Sequence, residues 1–131
     1  MKSEKLKVME SILKNKSYKF AIRIVRLSQF LQAEKKEFIL SKQILRSGTA
    51  VGALIREAEF GQSLPDFISK MSIALKEANE TEYWLSILND TDYLDSKLHN
   101  SLQIDCKELI AMLVSTVKTS KQKSEKLKVK N

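Results

Sequence analysis

Residues 61–89 read GQSLPDFISKMSIALKEANETEYWLSILN, and their spacing is that of one long helix behind a sharp break. In the opening Gly61-Gln62-Ser63-Leu64-Pro65-Asp66, Gly61 can take the left-handed position that ends a helix. Ser63 can cap the next helix, with Asp66 three residues on. Pro65 falls in a first turn, where its missing N–H does no harm. From there Phe67, Met71, Ala74, Ala78, Thr81, Leu85 and Leu88 recur at alternating steps of three and four, flanked by Ile68 and Leu75. That is one buried stripe of an α-helix.

Working outward, the same period appears three more times. Upstream, Leu40, Ile44, Gly48, Val51, Ile55 and Ala58 predict a helix from about Glu37 to Glu59, widened by Phe38, Leu45, Gly52 and Leu54. Gly48 and Gly52 each cost roughly 1 kcal/mol relative to Ala inside a helix, so both are expected where a neighbouring helix packs close. Before the connection Glu34–Glu37, Phe20, Ile24, Leu27 and Leu31 predict a helix from Ser17, with Lys19, Arg23 and Arg26 on its other side. Downstream, Asp90-Thr91-Asp92 reads as a turn and Asp95 or Ser96 as a cap. Leu98, Leu102, Cys106, Leu109, Leu113 and Val117 then predict a last helix to about Ser120. Helices of about 20–26 residues are roughly 30–39 Å long, and short connections make successive helices antiparallel. The expected fold is all-α, an antiparallel up-down-up-down four-helix bundle over 17–120. Residues 1–16 are a basic N-terminal arm or helix extension, and residues 121–131 a lysine-rich C-terminal tail.

The composition agrees. Three Gly and one Pro among 131 residues leave too few turns for a sandwich or barrel. No apolar run approaches the roughly 18–20 residues that span a membrane. Met1–Glu10 has no continuous apolar stretch of the signal-peptide kind, and the single Cys106 forms no intrachain disulfide and fits a reducing compartment. The expectation is a cytoplasmic protein with no membrane partner.

The net charge of +7 is uneven. Residues 1–20 carry six Lys against two Glu, and residues 118–131 six Lys against one Glu, while 21–117 carry 11 basic and 13 acidic side chains. A basic end can hold a polyanion by charge alone. Ser3-Glu4-Lys5-Leu6-Lys7-Val8 recurs as Ser124-Glu125-Lys126-Leu127-Lys128-Val129, one copy at each end.

Nothing in the chain gathers the groups of an enzyme. The only histidine, His99, has no partner pattern, and Cys106 falls on an apolar stripe, as an inert core cysteine does. There is no Gly-rich phosphate loop and no Cys/His metal spacing. Glu77, Glu80 and Glu82 lack the Glu-x-x-His of di-iron bundles. No cofactor, metal or catalytic residue is expected.

Two segments carry a resemblance: Arg46-Ser47-Gly48-Thr49-Ala50-Val51-Gly52-Ala53-Leu54-Ile55-Arg56-Glu57-Ala58, and Ala74-Leu75-Lys76-Glu77-Ala78-Asn79-Glu80-Thr81-Glu82-Tyr83-Trp84-Leu85. Together they resemble the bacterial four-helix-bundle family named for the 23S rRNA intervening-sequence protein, over about Ser17 to Ser120. The resemblance implies a bundle that assembles into a ring, typically a homopentamer. Some relatives are encoded within insertions in 23S rRNA genes. Related accessory proteins of diversity-generating retroelements bind a reverse transcriptase and nucleic acid through basic surface. Leu54 stands where family members often carry Asn.

The functional expectation is a non-enzymatic, ring-forming binding protein associated with RNA or DNA. The alternative is a protein-interaction or scaffold module with no nucleic-acid role. A second apolar row on the third helix, Ile73, Trp84 and Ile87, is the candidate oligomer interface, because a bundle helix needs only one apolar face. Arg23, Arg26, Arg46, Lys118, Lys121 and Lys123 are the candidate nucleic-acid contacts. Arg56 and Glu82 are a candidate boundary ion pair, since a carboxylate at the core edge calls for a partner.

Overall fold

The computed structural model describes residues 2–130; Met1 and Asn131, the outer ends of the two basic segments, lie outside the described residues. Four helices make up most of the described residues: α1 (Glu4–Glu34), α2 (Leu40–Glu59), α3 (Leu64–Asp90) and α4 (Ser96–Lys130). Among the described residues there is no strand.

All four apolar stripes are buried: Phe20 to Leu31, Ile44 to Ala58, Phe67 to Leu88 and Leu102 to Val117 share one core. α1 packs on α2 and α4, and α3 packs on α2 and α4, while α1 and α3 lie diagonally across the shared core, their backbones not closely approaching among the described residues. Cross-links fix the order of contact. Lys14 meets Glu59 and Ser28 meets Ser41 across α1 and α2. Ser47 meets Thr81 and Glu57 meets Lys70 across α2 and α3. Ala78 meets Cys106 and Ser86 meets Gln103 across α3 and α4. Lys16 meets Glu108 and Arg23 meets Ser101 across α1 and α4. In every pair, numbers rise along one helix as they fall along the next.

The helix ends follow from their caps. Ser63 Oγ accepts from the Asp66 N–H at 3.2 Å, and Asp95 Oδ1 from the Leu98 N–H at 2.7 Å. Three boundaries and one turn conformation differ from the sequence reading. α4 runs to Lys130, not Ser120, so residues 121–130 continue the helix and are no separate tail. α2 begins at Leu40, not Glu37, with Ile39 as its N-cap residue; Glu37 lies before the helix and its Oε1 accepts from the N–H groups of Ile39 and Ser41. Gly61 does not adopt a left-handed conformation; that role goes to Lys36 (φ 53°) and Asp92 (φ 65°). α1 begins at Glu4, not Ser17, so the N-terminal segment is the first half of the helix, with Leu6 and Leu13 fully buried. Ser3 caps it through Oγ and the Leu6 N–H.

The early start of α1 is disguised in the sequence because its core row runs Leu6, Glu10, Leu13, Ser17, Phe20, with polar residues at alternate places. Glu10 is tolerated inside because Lys2 Nζ reaches its two oxygens at 2.9 and 3.0 Å. The same ammonium lies 5.1 Å from the centre of the Phe67 ring. At the other terminus, α4 keeps its core-facing row beyond Val117 through buried Ser120, whose hydroxyl donates to the Thr116 carbonyl at 2.7 Å. With 35 residues, α4 is about 52 Å long, against about 40 Å for the 27 residues of α3. The first copy of the repeated hexapeptide opens α1 with Ser3 as its cap and the second lies within α4, with Leu6 buried and Leu127 exposed.

Candidate functional site

The six candidate nucleic-acid contacts divide by environment. Arg46 is held by acids of α3: Nη1 donates to Glu77 Oε2 at 2.8 Å and Nη2 donates to Glu80. Both carboxylates raise the guanidinium's pKa, Glu80 most. Glu80 in turn accepts from the Trp84 indole N–H at 3.0 Å, and its carboxyl is held below the usual carboxylate range first by that bond and then by Arg46. Arg23 is tied to α4, donating to Asp105 Oδ2 at 2.7 Å and to Ser101 Oγ at 2.9 Å. Arg26 is exposed and makes no ion pair among the described residues; it rims a recess of about 210 Å³ floored by Leu27, Phe30, Leu98 and Leu102. Lys118 and Lys121 are exposed on the last third of α4, beside a shallow groove of about 370 Å³ lined by Leu75, Val114 and Val117. Lys123 is half-buried one turn on. The lysines therefore gather at the end of the molecule where α1 starts and α4 finishes, and the arginines Arg23 and Arg46 are engaged within the bundle.

The candidate interface row is on the outside. Ile73 is 42% exposed, while Trp84 and Ile87 are half-buried. Tyr83, unmarked in the sequence reading, is exposed beside Trp84, the two rings meeting edge to face at 5.1 Å. A second outward row also escaped the sequence reading: Tyr18, Ile22 and Val25 on α1. Its signal was available, since α1 carries apolar residues beyond the single stripe a bundle helix needs. Tyr18 and Ala21 share a recess of about 270 Å³ with Thr49, Gly52 and Ala53 of α2, rimmed by Lys14 and Arg56.

Gly48 and Gly52 differ. A methyl at Gly48 would lie 2.7 Å from Ile24 Cγ2, so α1 occupies the space a side chain needs. A methyl at Gly52 would meet the Ser17 carbonyl at 3.4 Å, an ordinary contact. Arg56 and Glu82 are not brought together: Arg56 lies on the α1 side of α2, and no salt bridge joins the two among the described residues. Glu82 instead stands near Cys106 of α4, whose thiol is pushed up to about 12 by burial first and by Glu82 and Asp105 next. The Cys106 thiol contacts the Ala78 carbonyl at 3.4 Å, and a protonated, buried thiol of this kind is a poor nucleophile. Among the described residues no three His, Cys, Asp or Glu side chains gather as metal ligands would, and no helix is long and apolar enough to cross a membrane.

The comparisons agree with this architecture. No curated protein matches the chain. A crystal structure of a protein of unknown function from the S23 ribosomal protein family of Bacteroides thetaiotaomicron VPI-5482 is similar, with 54% identity and a TM-score of 0.83, covering 84% of this chain and 98% of that one. The model of the 23S rRNA-intervening sequence protein family matches residues 9–115. With the matched stretch running from the second turn of α1 through most of the core row of α4, the chain belongs to the 23S rRNA-intervening sequence protein family.

Proposed function

We propose that this chain is a non-enzymatic, ring-forming protein of the cytoplasm, an antiparallel up-down-up-down bundle that binds RNA or DNA through the lysine-rich end of α4. The observation that carries this reading is the contrast in charge environment. Arg23 and Arg46 are spent on Asp105, Glu77 and Glu80. Lys118, Lys121, Lys126 and Lys128 are exposed without an acidic partner among the described residues, on a helix that outruns α3. Phosphate contacts of this kind give affinity without sequence preference. No aromatic side chain stands among residues 118–130, so base stacking adds nothing there.

The test is fluorescence anisotropy with duplex RNA and duplex DNA of mixed sequence across a salt series. Binding should weaken steeply with salt. Replacing Lys118, Lys121 and Lys126 with Ala should flatten the log–log slope by about 3, close to one unit for each phosphate no longer neutralised. Absence of binding at low salt overturns the nucleic-acid reading.

One observation favours the scaffold reading: the body of the bundle is close to neutral, with 11 basic and 13 acidic side chains over residues 21–117, while its apolar rows stay exposed. Under that reading a variant lacking residues 121–131 retains its partner. The resemblance implies five copies per ring, which light scattering measures directly.

A further inference from the structure

We infer that the apolar recess between α1 and α4 beside Arg26 is a binding site for a small amphiphilic carboxylate. Its apolar body lies against Phe30, Leu98 and Leu102, and its carboxylate meets the Arg26 guanidinium. The site is at the opposite end of the bundle from the lysines of α4 and stands independently of nucleic-acid binding and of assembly.

The recess has a packing origin. α1 and α4 approach each other less closely than the other three neighbouring pairs of helices. Near the α3–α4 turn their seam opens into a space of about 210 Å³ between Leu27 and Phe30 of α1 and Leu98 and Leu102 of α4, with Arg23 and Arg26 at its rim. Leu27 and Leu102 are buried, so the floor belongs to the core and is held in place by it, while Phe30 leaves an aromatic wall exposed. At roughly 30 Å³ for each water-sized group, the space suits an apolar body of about seven non-hydrogen atoms. A second recess of about 230 Å³ shares Phe30 and Leu98 with the first and leads on to Lys35, Asp92 and Asp95. Together the two reach the size of small-molecule sites, which join a mostly apolar lining to a few placed polar groups.

Charge selects the head group. Arg23 is tied to Asp105 at 2.7 Å. Arg26, one turn on, is exposed and makes no ion pair among the described residues. Its planar fork of N–H donors matches a carboxylate, and an apolar wall beside it strengthens such a pair relative to open water. The far end of the trough is different. Asp92 and Asp95 stand there with Lys35, whose ammonium lies 5.9 Å from the centre of the Phe30 ring. Asp95 Oδ1 already accepts the Leu98 N–H, and both acids lie by the positive end of the α4 dipole. The acids therefore have compensating charge nearby, and Arg26 has none. Arg26 and Lys35 are about 13 Å apart along α1 at 1.5 Å per residue. An anion is drawn to the Arg26 end and repelled by the acids at the other, which fixes the direction in which it lies.

The experiment titrates octanoate and 2-naphthoate into the full-length protein, with octylammonium as the head-group control. Calorimetry gives affinity, and the leucine methyl spectrum gives place. A carboxylate should shift Leu27, Leu98 and Leu102 and leave Leu6 and Leu127 unmoved. Octylammonium should bind at least about tenfold more weakly. Arg26→Gln should weaken the carboxylates about tenfold, the loss of one charge-assisted pair, with helicity unchanged by circular dichroism. Lys19→Gln, an equal charge change at an exposed place on the same helix, should leave affinity as it was. Tighter octanoate identifies an acyl acid and tighter 2-naphthoate an aromatic one; either result supports the site. If neither carboxylate moves the three leucines at millimolar concentration, the site is overturned. Octylammonium binding as tightly as octanoate, or Arg26→Gln binding as well as the wild type, overturns the carboxylate assignment.

Discussion

Ser47 and Thr81 share a hydrogen bond of 2.9 Å between α2 and α3, with both side chains fully buried. Each hydroxyl has one proton. Thr81 Oγ1 also lies 2.8 Å from the Glu77 carbonyl, whereas Ser47 Oγ is 3.5 Å from the Ile44 carbonyl. The best satisfied arrangement has Thr81 donating to Glu77 and Ser47 donating to Thr81. Replacing Thr81 with Val strands the Ser47 hydroxyl and should cost about 1–3 kcal/mol. Adding Ser47→Ala should recover part of that loss. A double-mutant cycle in urea measures the coupling, and strictly additive losses would exclude the bond as a stabilising contact.

The two interior glycines of α2 should respond oppositely to alanine. At Gly52 the added methyl fits, so Gly52→Ala should stabilise by up to about 1 kcal/mol through helix propensity. At Gly48 it collides with the branched Ile24, and Gly48→Ala should destabilise by about 1–3 kcal/mol despite the same propensity gain. Urea midpoints moving in the same direction for both would refute this.

Lys36 sits at φ 53° in the α1–α2 connection, a conformation that costs an L-residue about 1–2 kcal/mol. Its ammonium donates to the Ala33 carbonyl at 3.0 Å, an exposed bond of small net value. Lys36→Gly should therefore raise stability by about 0.5–1 kcal/mol, read as a higher thermal midpoint; an unchanged or lower midpoint contradicts it.

Cys106 gives a pH dependence with a definite sign. Its thiol is pushed up to about 12 in the fold, against about 8.5 when unfolded. Between those values the unfolded chain gives up the proton first, so its contribution to stability falls as pH rises through that window, by at most about 1.4 kcal/mol per pH unit. The readout is the difference between wild type and Cys106→Ala in urea at pH 8 and pH 10, which isolates the thiol. The wild type should lose more. Equal losses would mean that the thiol ionises as easily in the fold as outside it.

The core was readable from the chain because Phe67, Met71, Ala74, Ala78, Leu85 and Leu88, and their counterparts on the other helices, keep helical spacing, with Thr81 the one polar place in the α3 row. The first turns of α1 were not, since Glu10 and Ser17 occupy core places that only Lys2 and a neighbouring backbone make acceptable. The Arg56–Glu82 pairing failed for a related reason. Period assigns a residue to a face of its own helix but not to the helix opposite. Glu82 shares its face with Leu75, which borders Val114 and Val117 of α4, whereas Arg56 borders Lys14 and Tyr18 of α1. The engagement of Arg46 by Glu77 and Glu80 is equally invisible in one dimension, 31 and 34 residues separating the partners.

The crowding of lysines at one end of a rod about 50 Å long has an electrostatic consequence for encounter. Such a particle carries a permanent moment along its long axis. In the field of a polyanion it experiences a torque before it touches anything, and it arrives end-on. Orientation is then selected during approach and not during a search on the surface. Added salt shortens the distance over which the turning acts, so it should slow association more than it speeds departure.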